Sequence, residues 1–218
     1  MRDYSIKSDI NTEGQLEFIE KYIGGCFMIL FEAAEHDRPM MFDEEYNVVS
    51  AEGTYKTAYE AADAVLDLGS LANMVILEEL VHNNDVGAGS FYIAVDFTGN
   101  SIYRKLTFMA PWDFNWAYEG DADGGYYAST FQYMIQDVDR SNGWYILAMK
   151  TDWFTDIVRA KWAELNKTDA LKTTLKKVFA DCKDLENDLG DDAWKIDMAR
   201  NIYTFVAGRI KWLDKQWL

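Results

Sequence analysis

Apolar positions change their spacing several times along the chain, and each change predicts an element. Residues 1–15 are polar and show no period. Gly24-Gly25 then interrupts the chain before Cys26-Phe27-Met28-Ile29-Leu30-Phe31-Glu32, a short apolar run rich in strand formers that predicts a strand. Met40-Met41-Phe42, just after Pro39, predicts a second. From Thr54 the spacing turns helical through Tyr55, Tyr59, Ala62, Val65 and Leu66, with an end at Gly69. Ser70 is the expected cap of a further helix carrying Leu71, Met74, Val75, Leu77, Leu80 and Val81, which stops at Asn83-Asn84-Asp85. Phe91 to Val95 reads as a strand, Gly99-Asn100 as a turn, and Lys105 to Ala110 as the partner strand. A loop rich in Asp, Gly and Tyr follows over 119–127, without the spacing of a helical-hand calcium loop.

The remainder reads as helix. One apolar face runs through Trp153, Phe154, Ile157, Val158, Trp162 and Leu165, and a second through Leu171, Leu175, Val178, Cys182, Leu185 and Leu189 to a stop at Gly190. Asp191 or Asp192 is the expected cap of a last helix bearing Trp194, Met198, Ile202, Phe205, Ile210 and Trp212, and these stripes are expected to be core. Strands, helix pair, hairpin, loop and helical bundle in that order predict an α+β fold, mostly helical.

Composition narrows the function classes. A hydrophobic content of 49% supplies a substantial core and excludes disorder as the default. The net charge of −16, with Lys and Arg scattered, argues against nucleic acid as a partner. Cys26 and Cys182 each sit in an apolar run and read as buried hydrophobes rather than a disulfide. No Cys/His spacing suits zinc, and no run approaches membrane-spanning length.

Candidate chemistry gathers at two acidic segments. Asp85 closes Asn83-Asn84-Asp85, and Asp113 stands within Pro111-Trp112-Asp113-Phe114-Asn115. The strand–turn–strand between them could bring both carboxylates to one end of a small sheet, an arrangement suited to divalent-metal and phosphate chemistry. Taken alone, Asp85 also reads as an ordinary turn residue at a helix end, and Asp113 as part of a turn among aromatics. A lone buried carboxylate is costly without a cation or several donors.

In order along the chain, these segments resemble the spore coat protein H kinase family. Gly24 to Glu32 followed by Met41-Phe42 is similar to its "GGYLLE…F" segment, and Asp67 to Ala72 with Glu79 to Asp85 to its "DvdSla…nEL..N.D" helix. Ser90-Phe91-Tyr92 resembles its "SfY" strand, and Pro111 to Asn115 its "PWDfD" signature. Trp144 to Trp162 and Arg209 to Asp214 resemble its downstream "rW.eL" and "R..WLd" patterns, so the resemblance spans about residues 20 to 215. It implies the C-terminal lobe of an atypical protein-kinase-like fold, with a short β-hairpin at a site that uses ATP and magnesium to phosphorylate serine or threonine of a protein acceptor.

By the same resemblance Asp85 is the catalytic-loop aspartate, and Asp113 holds the magnesium that bridges the ATP phosphates. Ser90 is a second, weaker metal and cofactor ligand. Asn115 stands among the metal ligands where the family carries a second Asp. A spore-coat, secreted or cell-surface location is implied. The family's nucleotide-binding half, with its phosphate-contacting lysine, is expected ahead of Gly24; nothing there matches it, and Lys21 is not at a convincing position. The chain is therefore expected to be a partial kinase-like domain, with 1–52 a strand-containing remnant beside the nucleotide-binding lobe and 53–218 the helical lobe. The alternative is a non-catalytic pseudokinase or binding module of a secreted or surface assembly, with aromatics such as Trp112, Trp116, Tyr118, Tyr126 and Tyr127 stacking on a sugar or an adenine.

Overall fold

A computed structural model describes residues 4–87, 89–130, 142–185, 188–192 and 194–218. The chain divides into two compact units, one ending at Leu66 and the other running from Asp67 to Leu218.

The first unit is built on helix α1 (Glu13–His36), the hairpin β1 (Met40–Phe42) with β2 (Val48–Ser50), and helix α2 (Ala58–Val65). The run from Cys26 to Glu32, expected as a strand, lies inside α1. Its buried positions are Tyr22, Gly25, Cys26, Ile29, Leu30 and Ala33, which recur every three or four residues and line one helical face. The start is a capping box: the Thr12 hydroxyl accepts from the Gln15 N–H at 3.2 Å, and the Gln15 side chain accepts from the Thr12 N–H at 3.2 Å. Gly25, which looks like a breaker in sequence, is a packing residue. A Cβ there would lie 2.2 Å from the Phe42 ring, so only glycine lets β1 close on the helix. Phe42 in turn stacks on Tyr22 at 5.4 Å, beside the Phe18–Tyr46 edge contact at 5.0 Å. The second expected strand, at Met40-Met41-Phe42, is β1 as anticipated.

The second unit holds helix α3 (Leu68–Val81), strands β3 (Tyr92–Ala94) and β4 (Thr107–Met109), and helices α4 (Gly143–Met149), α5 (Asp152–Lys167), α6 (Ala170–Asp184) and α7 (Trp194–Trp217). The protein is thus α+β, dominated by helix, with two small antiparallel sheets among the described residues. Helix α3 is the centre, buried on nearly every side, and packs against α5, β4 and α7. Its cap is Asp67, not Ser70: the Asp67 carboxylate accepts from the Ser70 N–H at 2.9 Å. Ser70 sits in the first turn, and its hydroxyl accepts from the Phe108 N–H at 3.0 Å, which fastens β4 to the helix start. Trp162 of α5 is fully buried and donates from Nε1 to Asp214 of α7 at 3.0 Å.

The two C-terminal helices depart from expectation. Helix α6 ends at Asp184, short of Leu189, while Gly190–Asp192 form a 3-10 turn; residues 186, 187 and 193 lie outside the described set. No α6 residue is fully buried, and Val178, Leu185, Trp194, Met198 and Ile202 are exposed. Of the expected α7 stripe Ile210 does reach the core, joined there by Ile196, Val206, Arg209, Leu213 and Trp217. Helix α6 is an outer layer that packs mainly on α5 and α7, and part of its apolar stripe stays exposed.

Candidate active site

Helix α3 ends at His82, whose backbone is left-handed at φ 52°, and the chain turns at once into the segment that carries Asp85. That segment is closed on itself. The Asn83 side-chain oxygen accepts from the Asp85 N–H at 3.1 Å, and the Asp85 carbonyl accepts from the N–H groups of Gly89 at 3.1 Å and Ser90 at 3.3 Å. The Ser90 hydroxyl donates to Asp85 Oδ2 at 2.8 Å. A buried Asn142 adds an outer tie: its amide donates to the Val86 carbonyl at 3.1 Å, while its oxygen caps α4 through the Trp144 N–H.

The antiparallel register pairs Tyr92 with Met109 and Ala94 with Thr107. The residues entering β3 and those leaving β4 therefore share one end of the hairpin. Between β4 and Gly120 the backbone is left-handed at three non-glycine residues, Ala110 (φ 59°), Asp113 (φ 57°) and Tyr118 (φ 65°). Such conformations cost energy for residues with a Cβ and persist only where the surroundings impose them. The imposing contacts are backbone bonds to the end of α3: Asn84 N–H to the Trp116 carbonyl at 3.1 Å and Tyr118 N–H to the Val81 carbonyl at 2.6 Å.

Side chains complete the seam. The Asn84 amide donates to Glu119 at 3.2 Å and its oxygen accepts from the Tyr127 hydroxyl. Buried His82 bonds through Nδ1 to the Glu119 carbonyl at 3.1 Å and stacks on Tyr127 at 4.6 Å. Burial holds the imidazole below its ordinary pKa, which favours the neutral ring.

A fully buried ion pair anchors the loop from the far side. Arg209 of α7 and Glu79 of α3 meet at 2.8 Å, both wholly inaccessible to solvent. Each is saturated with partners. Arg209 also donates to the carbonyls of Glu79 at 2.6 Å, Ala122 at 3.2 Å and Gly125 at 2.8 Å. Glu79 also accepts from the N–H groups of Tyr127 at 2.7 Å and Ser129 at 2.8 Å. A buried pair survives desolvation only with such complete hydrogen bonding. Its neighbour Glu78 is different: equally buried, with neither carboxylate oxygen hydrogen-bonded among the described residues. Burial pushes its pKa up to about 7, the Asn83 amide opposes this, and the charge of Glu79 adds to it.

Of the four residues singled out in sequence, Asp85 is half-buried and Ser90 is buried beside it, joined by the hydroxyl bond. Asp113 and Asn115 are exposed on the opposite segment of the same hairpin end. Among the described residues no group of three His, Cys, Asp or Glu side chains could hold a metal alone. Magnesium is ordinarily held by one or two protein oxygens together with substrate phosphates, and of the expected ligands Asp113 and Asn115 lie on an accessible surface. Ser90 is 3% exposed, and its hydroxyl donates to Asp85 Oδ2.

Sequence reasoning assigned no role to Glu78, Glu79 or Asn84, and read Arg209 only as a complement to the dipole of the last helix, whereas it is buried against Glu79. A signal existed: acidic residues inside the apolar stretch of α3, and an arginine in the apolar stripe of α7, must find partners when buried. No helix among the described residues is long and apolar enough to cross a membrane. No protein-family model, curated protein or solved structure matches the chain.

Proposed function

We propose that this hairpin end is a phosphoryl-transfer site of an atypical, kinase-like kind, passing the γ-phosphoryl group of ATP to a serine or threonine hydroxyl of a protein. The observation that carries the reading is the seam between the Asp85 segment and the Asp113 segment, stitched by the Asn84–Trp116 and Tyr118–Val81 backbone bonds. Phosphoryl transfer asks a protein mainly for fixed position and charge neutralisation, and a stitched, strained, acidic turn pair suits that demand. Asp85 receives the acceptor's proton and aims its oxygen. Asp113 and Asn115 would hold magnesium, which when bound neutralises charge on the ATP phosphates.

Equilibrium binding of a fluorescent ATP analogue, with and without magnesium, tests this. Metal-dependent binding is expected, weakened about 10- to 100-fold or more by Asp113→Ala, while Asp85→Asn keeps binding and loses transfer. Binding indifferent to both metal and Asp113 refutes the reading.

A second reading, a non-catalytic binding module, draws on one observation: Trp112 and Trp116, flanking Asp113, are 58% and 46% exposed. Metal-independent capture of a sugar or peptide on those rings, lost in Trp112→Ala, supports it instead.

A further inference from the structure

We propose that Ser90 is a positioning residue whose hydroxyl locks the Asp85 carboxylate in the orientation that accepts a proton, and that it is not a metal ligand. The inference rests on the phosphoryl-transfer reading and refines it.

Three features of the turn carry it. The Ser90 hydroxyl spends its only proton on Asp85 Oδ2, at 2.8 Å. Ser90 is 3% exposed, whereas magnesium dehydrates reluctantly and keeps several waters around it. A hydroxyl that far inside offers poor access to such an ion. Gly89 supplies the third feature. A Cβ at this position would lie 3.2 Å from Asp85 Oδ2 and 3.6 Å from Oδ1, so the carboxylate rests against a surface that glycine leaves bare. The backbone beneath is held on both sides, by Asn83 at the Asp85 N–H and by Gly89 and Ser90 at its carbonyl. Asp85 is thus fixed at its N–H, its carbonyl and one carboxylate oxygen.

The consequence is a division of labour between the two oxygens. Oδ2 is occupied by Ser90, and no hydrogen bond among the described residues reaches Oδ1. In the transfer step the acceptor hydroxyl gives its proton to Oδ1 as its oxygen bonds to the γ-phosphorus. The bond from that phosphorus to the bridging oxygen breaks, and ADP leaves with the electron pair. Losing the Ser90 bond frees the carboxylate to rotate, and a small misplacement of a catalytic group is enough to cost rate.

The test compares wild type, Ser90→Ala and Ser90→Thr in transfer of γ-phosphate from Mg-ATP to a serine-containing peptide library. Binding of Mn²⁺ is measured in parallel by electron paramagnetic resonance. Ser90→Ala is expected to lower kcat about 10- to 100-fold, with KM for ATP and Mn²⁺ affinity unchanged, and Ser90→Thr to restore most of the rate. If Ser90→Ala loses the wild-type circular dichroism, Gly89→Ala serves in its place. Its methyl must shift the carboxylate by a few tenths of an ångström while leaving the hydroxyl in place, and the same fall in kcat is expected. Unchanged kcat in a folded variant, or a loss of Mn²⁺ affinity that matches the loss of rate, overturns the positioning role alone. A wild type that transfers no phosphate overturns the functional reading and this inference with it.

Discussion

Replacing Glu78 by glutamine isolates a buried carboxyl near the candidate site. Neither oxygen of this buried carboxylate meets hydrogen-bond geometry among the described residues, the Asn83 amide offsets its burial only in part, and its pKa is raised from 4.5 to about 7. The folded state therefore binds a proton more tightly than the unfolded chain does. The stability this contributes is complete below pH 4.5 and is lost as pH rises through 7. The difference between 4.5 and about 7 corresponds to about 3 kcal/mol at roughly 1.4 kcal/mol per pH unit. Glutamine keeps the shape and cannot ionise. Its unpartnered amide costs something too, by the same amount at every pH, so the diagnostic quantity is the slope rather than the level. Urea denaturation at a series of pH values from 4.5 to 8.5 measures it. All eight tryptophans lie beyond Leu66, so their fluorescence reports on the unit that contains Glu78. His82 titrates with the opposite sign, its stability contribution falling away at acid pH, and it cancels when variant and wild type are subtracted. The Glu78→Gln minus wild-type difference should grow by about 3 kcal/mol from the acid to the alkaline end. A difference that stays flat with pH refutes the claim that burial raises the pKa of this carboxyl.

Three further outcomes are expected. Arg209→Met leaves the Glu79 carboxylate buried without its cation and should destabilise the second unit by about 3–5 kcal/mol, with hydrogen exchange in 119–130 accelerating first; intact protection there would show that the pair does not anchor the loop. Gly25→Ala forces a methyl against the Phe42 ring and should cost about 1–3 kcal/mol in the first unit, seen as lost amide protection across Glu13–His36, and Phe42→Leu should recover part of it. Thiol alkylation under native conditions should modify Cys182, which is partly accessible. It should spare Cys26, which is fully buried with its thiol pushed up to about 12, until denaturant is added; rapid native labelling of Cys26 contradicts the α1 packing.

Periodicity and turn chemistry carried the second unit a long way. The hairpin over β3 and β4, the Gly99-Asn100 turn, and helices α3, α5 and α7 were legible because each is specified by neighbours a few residues apart. The Thr12-to-Gln15 capping box was equally local and would have exposed α1, had Gly24-Gly25 not read as a break. What makes Gly25 acceptable inside a helix is the Phe42 ring, which reaches it only once the chain has folded back. Likewise the apolar rows of α6 and α7 announce a helix face, while the partner that covers a face, or its absence, is a matter of assembly.

Pairings across long separations belong wholly to the folded chain. Glu79 and Arg209 stand 130 residues apart, and no local rule joins them. The same holds for the bonds from the end of α3 to Trp116 and Tyr118, and for the burial of Glu78. Short-range order follows from backbone preference and the spacing of apolar side chains. A site made of distant charges forms only where packing brings them together and shuts out water, and that is settled in three dimensions.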